Sequence, residues 1–364
     1  MDVDAQAVET RRRCGEGGLV KRSFRKILVI QTAFIGDAIL TLPLIQVLKR
    51  TNPGSIIDVV VVPRSAELFH NHPAISTIIE YDKRGQDRGL GRFLSLLGQL
   101  RQSSYDLAVI PHRSLRSALL AALTGVPIRV GFDTSAGRLL FTRSARYRKE
   151  IHEIERNLSL LAPIEISFQG RELPKVYPSS EDIIAVDEIL RKDAIDPERK
   201  MIALAPGTIW NTKRWLKERF TELGSLCVEN GCSVVLIGGP EDRPLCKEIH
   251  ESIRHHSVAN VCGRLSLLQS AALLKRCRAL VSNDSAPMHL AVAMGTPVVA
   301  IFGATVPAFG FAPYGEKDIV IETLGLSCRP CSIHGGEKCP IETFECMKNI
   351  SSQRVYRDVE RLLQ

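Results

Sequence analysis

Short apolar runs alternate with amphipathic stretches along most of this chain. Residues 26–30 are an apolar run closed by a polar turn at 31–34, and residues 36–51 then carry apolar positions at helical spacing. Further strand-like runs fall at 56–62, 77–81, 106–110 and 129–131, with helical patterns over 90–102 and 115–124 between them. A helix is expected over 151–161. Residues 168–180 contain Pro174 and Pro178, show no period, and read as a linker. The alternation then restarts, with strands expected at 201–205, 233–237, 259–262, 279–282 and 298–302. Helices are expected at 216–230, 241–250, 267–275 and 285–294, followed by an amphipathic helix over 352–363. Runs apolar at every position are strands covered on both faces, and their alternation with helices predicts parallel sheets.

The fold class expected is α/β, with two Rossmann-like parallel-sheet domains facing across a cleft. The expected divisions are a disordered basic extension over 1–24, an N-terminal domain over 25–167, the linker at 168–180, and a C-terminal domain over 181–350 that includes a cysteine-rich loop at 326–347. A helix over 351–364 is expected to return toward the N-terminal domain. With 364 residues there is enough chain for two such domains. No apolar run reaches the ~18 residues of a membrane-spanning helix, and the first residues lack the apolar core of a signal peptide.

Charge sharpens the picture. Residues 1–150 hold 23 Lys/Arg against 13 Asp/Glu, a net +10, and residues 151–364 hold 25 against 27, a net −2. The whole +8 excess therefore lies in the first half, part of it in the tail as Arg11, Arg12, Arg13, Lys21 and Arg22. An anionic partner is expected there, as phosphorylated substrate or acidic membrane surface. Aromatic residues make up only 5% and form no base-stacking motif, which argues against nucleic acid. Ten cysteines without a secretion signal predict reduced thiols in the cytoplasm.

The stretch from Val281 through Asn283, Asp284, Ser285, Ala286, Pro287 and Met288 to His289 carries the sharpest chemical signal. An apolar strand runs into a polar turn, and a helix then starts near Ser285 with Pro287 in its first turn, where a missing N–H costs little. Free backbone N–H groups at such a helix start, just past a strand's carboxyl end, form an anion site, here for Ser285 and Ala286 to supply.

Four stretches together resemble the bacterial ADP-heptose:lipopolysaccharide heptosyltransferases, glycosyltransferases of family 9 with the two-lobed GT-B fold. They are Gly36-Asp37-Ala38-Ile39-Leu40-Thr41-Leu42-Pro43; Ala205-Pro206-Gly207-Thr208 with Lys213-Arg214-Trp215; Leu236-Ile237-Gly238-Gly239-Pro240-Glu241-Asp242; and Asn283-Asp284-Ser285 with His289. The resemblance implies inverting transfer of heptose from ADP-heptose to an inner-core lipopolysaccharide acceptor, at the inner face of the inner membrane. It makes the N-terminal domain the acceptor side and the C-terminal domain the nucleotide-sugar side.

Such a reaction needs a base on the acceptor hydroxyl and stabilisation of the departing diphosphate. The resemblance makes Asp37 the base; spacing alone favours a helix-capping aspartate. Lys213 is the candidate for neutralising the diphosphate, with Arg214 as a neighbouring competitor and Thr208 and Thr212 as hydroxyl donors. Glu241 or Asp242, past a strand and a Gly-Gly turn, suits the ribose hydroxyls, with Glu241 favoured. Asp284 reads as a helix cap or a sugar ligand, and His289, one turn on, as a donor contact or a structural histidine. On the acceptor side Arg113 and Arg116 are best placed, with Arg64 next and Arg129, Arg138 and Arg143 as further candidates. No catalytic metal is expected, because the only Asp-x-Asp is Asp2-Val3-Asp4 in the tail.

Cys328, Cys331, Cys339 and Cys346 lie within 19 positions and open with Cys-x-x-Cys, a spacing compatible with a structural tetrahedral iron or zinc site. Iron-binding cysteine fingers in related protein heptosyltransferases support a metal; a reduced loop or labile disulfides fit the spacing as well. Those relatives also raise an alternative reading, a protein O-heptosyltransferase acting on an exported adhesin. A non-catalytic nucleotide-binding module is the alternative of another class. A dehydrogenase is disfavoured, because the first turn has the single glycine Gly36 where a Gly-x-Gly-x-x-Gly loop would be needed.

Overall fold

The computed structural model describes residues 23–82, 85 and 89–364. The basic extension lies outside these residues except for Ser23 and Phe24. Phe24 belongs to the fold: it is buried, and its N–H donates to Asn52 Oδ1 at 3.0 Å.

The first lobe runs β1 (Lys26–Gln31), α1 (Ile35–Thr51), β2 (Ile56–Val61), α2 (Pro63–Ala66), β3 (Thr77–Glu80), α3 (Leu90–Gln102), β4 (Leu107–Ile110), α4 (Leu115–Leu123), β5 (Ile128–Phe132), β6 (Arg143–Ala145) and α5 (Glu153–Ser159). The second runs α6 (Ser180–Lys192), β7 (Met201–Ala205), α7 (Lys217–Glu229), β8 (Ser233–Leu236), α8 (Arg243–Ile253), β9 (Val258–Asn260), α9 (Leu267–Arg276), β10 (Ala279–Asn283), α10 (Ala286–Met294), β11 (Val298–Phe302), β12 (Ile319–Glu322), α11 (Glu345–Lys348) and α12 (Ser352–Leu363). Each sheet has six parallel strands, ordered β3-β2-β1-β4-β5-β6 and β12-β11-β10-β7-β8-β9. The two orders are one topology used twice. In each, the strand order reverses beside the first strand, between β1 and β4 and between β7 and β10, and ligands of such sheets sit at that reversal, past the strands' carboxyl ends.

Strands that lie under helices on both faces read as continuous apolar runs, and every residue of β4, β7, β8, β10 and β11 is buried. Three apolar cores result. One lies under α3 and α4 on the outer face of the first sheet, including Leu28, Ile30, Leu97 and Leu120. A second lies under α7, α8 and α12 on the outer face of the second sheet. The third is continuous between the lobes, running from Ile39, Val59 and Val109 to Ala203, Leu273 and Leu290. The lobes therefore meet through packed helices, chiefly α1 against α10.

One expectation is corrected here. Helix α12 does not return to the first lobe: its apolar side, Val355 and Val359, is fully buried in the second lobe's core, where the helix packs on α7 and β10. The covering it provides to that sheet is needed because β10 and β11 have no polar face to show to water.

Candidate functional site

The turn after β1 places Asp37 in the first turn of α1. Its Oδ2 accepts the Phe34 N–H at 3.2 Å, so one carboxylate oxygen does cap the helix. Burial raises the Asp37 carboxyl above the ordinary carboxylate range; the Phe34 N–H and then the His334 and Arg113 charges pull it back. Arg113 follows β4 and lies over the Tyr147 ring, 4.1 Å from its centroid. Thr32, at the end of β1, has its hydroxyl 3.1 Å from His112 Nδ1 and 3.2 Å from Ser117 Oγ. Behind Asp37 stands Glu153, at the start of α5. Burial pushes its carboxyl up to about 7 and the nearby Asp37 charge adds to this, against the pull of Arg156, which pairs with it at 2.7 Å.

The second lobe answers with a cation–anion pair. Lys213, in the turn after β7, places Nζ 2.7 Å from Asp284 Oδ2, and the Thr305 hydroxyl donates to the same oxygen at 2.7 Å. Asp284 therefore does not cap α10; Ser285 is the N-cap, and no side chain caps its N–H groups. Between β10 and the Lys213 turn, the fully buried Asn283 accepts the Trp215 N–H at 2.9 Å and donates to the Pro206 carbonyl at 2.9 Å. One amide thus ties the loops after β7 and β10 together.

The two sides face one another. A methyl group at Gly36 would sit 3.3 Å from His289 Cδ2, so the starts of α1 and α10 meet across the cleft. His289 is buried, and burial first, then the His152 and Lys213 charges, push its pKa down to about 3. It is a neutral ring at the seam between the lobes. The segment 147–156 crosses this seam: buried Arg156 donates to the Lys149 carbonyl at 2.7 Å and to the Phe309 carbonyl at 2.6 Å, and His152 Nε2 lies 2.9 Å from the Ala312 carbonyl.

Other expected site residues spread more widely. Thr212 is buried, with its hydroxyl oxygen accepting the Gly336 N–H at 2.7 Å. Thr208 stays at the loop surface, where its carbonyl accepts from Arg214 at 2.8 Å. Asp242 is occupied, accepting the Gly239 N–H at 3.0 Å and lying against Gly207, whereas Glu241 is exposed and 3.8 Å from Arg64 of the opposite lobe. The Arg113 charge acts on Asp37, but Arg116 lies over Tyr81 and Phe93 toward α3.

The four clustered thiols share one neighbourhood, since Cys328, Cys331 and Cys339 all raise the Cys346 thiol beyond what burial does. Backbone N–H groups of residues 341–344 surround Cys339 and, against burial, hold its thiol below the usual value. Among the described residues no three His, Cys, Asp or Glu side chains stand together as a metal ligand set. Cys14, Asp2 and Asp4 lie outside the described residues.

Sequence reasoning missed Glu153, His152, Arg156 and His334. The helix over 151–161 is expected from the sequence, but nothing in its pattern points to Asp37; packing of α5 on α1 within the first lobe brings Glu153 there, and His334 reaches Asp37 from the cysteine-bearing loop of the second lobe.

The family model described as glycosyltransferase family 9 (heptosyltransferase) matches residues 93–339. Lipopolysaccharide heptosyltransferase 1 of Pseudomonas aeruginosa is 30% identical over 362 residues, covering 93% of this chain and 98% of that one. Lipopolysaccharide heptosyltransferase 2 of Escherichia coli K12 is 28% identical over 308 residues, 82% of this chain and 88% of its own. The solved E. coli ADP-heptose lps heptosyltransferase II superposes with a TM-score of 0.78 at 27% identity, covering 93% of this chain and 98% of that one. With its two facing Rossmann-like lobes of the GT-B type, the chain belongs to glycosyltransferase family 9 and is a transferase.

Proposed function

We propose that this protein transfers heptose from ADP-heptose to an anionic lipopolysaccharide-core acceptor, with inversion. The observation that carries the reading is that the start of α1, which bears Asp37, meets α10 at Gly36 and His289, beside the cationic turn at Lys213 and the uncapped start of α10. Names of relatives support donor and acceptor: the E. coli structure is an ADP-heptose lps heptosyltransferase, and the curated relatives are lipopolysaccharide heptosyltransferases.

In this mechanism Asp37 takes the proton from the acceptor hydroxyl as that oxygen attacks the anomeric carbon. The bond from that carbon to the diphosphate oxygen breaks on the opposite face, and ADP leaves with the electron pair. Lys213 meets the growing negative charge, and the N–H groups of Ser285 and Ala286 at the start of α10 bind phosphate oxygens. Asp284 orients Lys213 and reaches the donor sugar, Thr208 adds a hydroxyl, and Glu241 binds the ribose hydroxyls. His289 bears on the donor as a neutral wall. Arg113 and Arg64 meet the anionic acceptor, with Arg116 further out. No step calls on a metal ion.

A bilayer-bound acceptor would bring the protein to the cytoplasmic membrane face. Residues 90–149 hold ten Lys/Arg and two Asp/Glu, a net +8 that equals the whole chain's excess. On the same outer layer, Leu90, Leu94, Leu115, Leu119, Leu123 and Leu139 are 37–90% exposed. Exposed apolar side chains in an arginine-rich layer fit an anionic bilayer. No helix among the described residues is long and apolar enough to cross a membrane. Leu119→Glu with Leu123→Glu should abolish sedimentation with phosphatidylglycerol vesicles and leave transfer to a soluble acceptor intact.

The cysteine spacing and the amide nest at Cys339 support a structural iron or zinc ion held by Cys328, Cys331, Cys339 and Cys346, which native mass spectrometry tests. The reaction itself is tested by incubating the protein with ADP-heptose and either a truncated lipopolysaccharide core or an adhesin polypeptide. Core-linked heptose of inverted anomeric configuration is expected. Heptosylated polypeptide alone would give the acceptor to the protein-modifying reading, and no product with either would leave a nucleotide-binding module.

A further inference from the structure

We infer that the cysteine-bearing segment is the clamp that positions Lys213, acting through Thr212 and Gly335. This rests on the reading of Lys213 as the diphosphate-stabilising residue and adds the element that holds it there.

The segment grips the Lys213 turn by its backbone. The Thr212 N–H donates to the Gly336 carbonyl at 3.0 Å, and the Gly336 N–H returns the bond to the Thr212 hydroxyl at 2.7 Å. This two-way pair is buried at Thr212, where an unmade bond would be costly. Next to it, Gly335 has φ +89°, a conformation only glycine adopts without strain, and a methyl group there would stand 2.9 Å from Lys213 Cγ and 3.0 Å from Cδ. The lysine stem therefore lies directly on the Gly335 backbone while its ammonium group reaches Asp284 at 2.7 Å. Ser332 stiffens the clamp from within, its hydroxyl donating to the Gly335 carbonyl at 2.9 Å and accepting the Gly335 N–H at 2.8 Å.

The other end of the segment holds the partner of Lys213. Arg329 is nearly fully buried and donates to the Thr305 carbonyl at 2.8 Å while pairing with Glu322 at 2.9 Å. Thr305 in turn donates to Asp284. The Cys331 N–H fixes the segment to the Ala304 carbonyl at 2.8 Å. Both members of the Lys213–Asp284 pair are thus set by one segment, and the tip between its anchors carries His334, whose charge acts on Asp37. These contacts converge on Lys213 and Asp284.

The test is a double-mutant cycle on the full-length protein, read as kcat for heptose transfer, with the melting temperature of each variant measured alongside. Thr212→Val and Gly335→Ala should each lower kcat about 10-fold or more, within the ~100-fold that a misplacement of about 1 Å costs. Thr212→Ser should restore the rate. In a Lys213→Ala background neither substitution should lower kcat further, because the group it positions is gone. Equal losses in both backgrounds, or wild-type rates for both single variants, would overturn the clamp while leaving Lys213 in its role. A wild-type rate for Lys213→Ala itself would instead overturn the reading of the lysine. If Thr212→Val does not fold, Gly335→Ala carries the cycle alone.

Discussion

Asp37 caps a helix and still offers a carboxylate to the cleft, because the Phe34 N–H engages only Oδ2. The capping and catalytic readings of its position are therefore compatible. Burial raises its pKa, so the acidic limb of kcat/KM should lie above the ordinary carboxylate value, with activity lost as pH falls through it. Arg113 favours the ionised form, so Arg113→Gln should shift that limb to higher pH; a pH–rate profile unchanged by the substitution would separate Arg113 from the base. Lys213→Ala should lower kcat by about 10²–10³ under saturating donor, the range for loss of one electrostatic stabiliser. The strand-to-helix turns that carry Asp37, Lys213 and Asp284 were legible in the sequence, since each follows an apolar strand within a recognisable motif. Their partners were not: Thr305, Gly335 and His334 lie 21, 122 and 297 positions from Asp284, Lys213 and Asp37 respectively.

Elements were legible wherever burial enforces a pattern. The strands expected at 201–205 and 298–302 and the helices at 90–102 and 352–363 stand at those bounds. Five elements escaped notice, α2 and α11 among them, each only four residues long. β6 is three residues, two of them exposed, and β12 is a sheet edge with one fully buried position. α6 buries only Val186 and Leu190, too few to show a period after the proline-rich linker. The loops between elements depend on single side chains, and Asn283 is the clearest case. Asn283→Ala would leave the Trp215 N–H and the Pro206 carbonyl unpaired, each at ~1–3 kcal/mol, so denaturant unfolding should show a loss of about 2 kcal/mol or more. A loss under about 0.5 kcal/mol would mean that the amide does not hold the two loops.

At the scale of the whole molecule, one lobe supplies the carboxylate and the other the cationic turn, and packed contacts set the gap between them. Glu67, on the first lobe, accepts the N–H groups of Leu267 and Leu268 at 3.0 and 2.9 Å and so caps α9 of the second. The two-lobed plan was evident from the repeated strand–helix alternation, but the seam was not, because interlobe pairs follow no period in either half. Docking of α12 within its own lobe was misjudged for the same reason: its amphipathic pattern shows that one face is buried and not against what. On the proposed mechanism the second lobe holds the donor while the first supplies the base. The direct measurement is ADP-heptose affinity together with the single-turnover transfer rate for Asp37→Asn. Donor affinity within about threefold of wild type and a transfer rate lower by ~10²–10⁴ are expected. Transfer at the wild-type rate, or donor affinity lost in proportion to the rate, would contradict it.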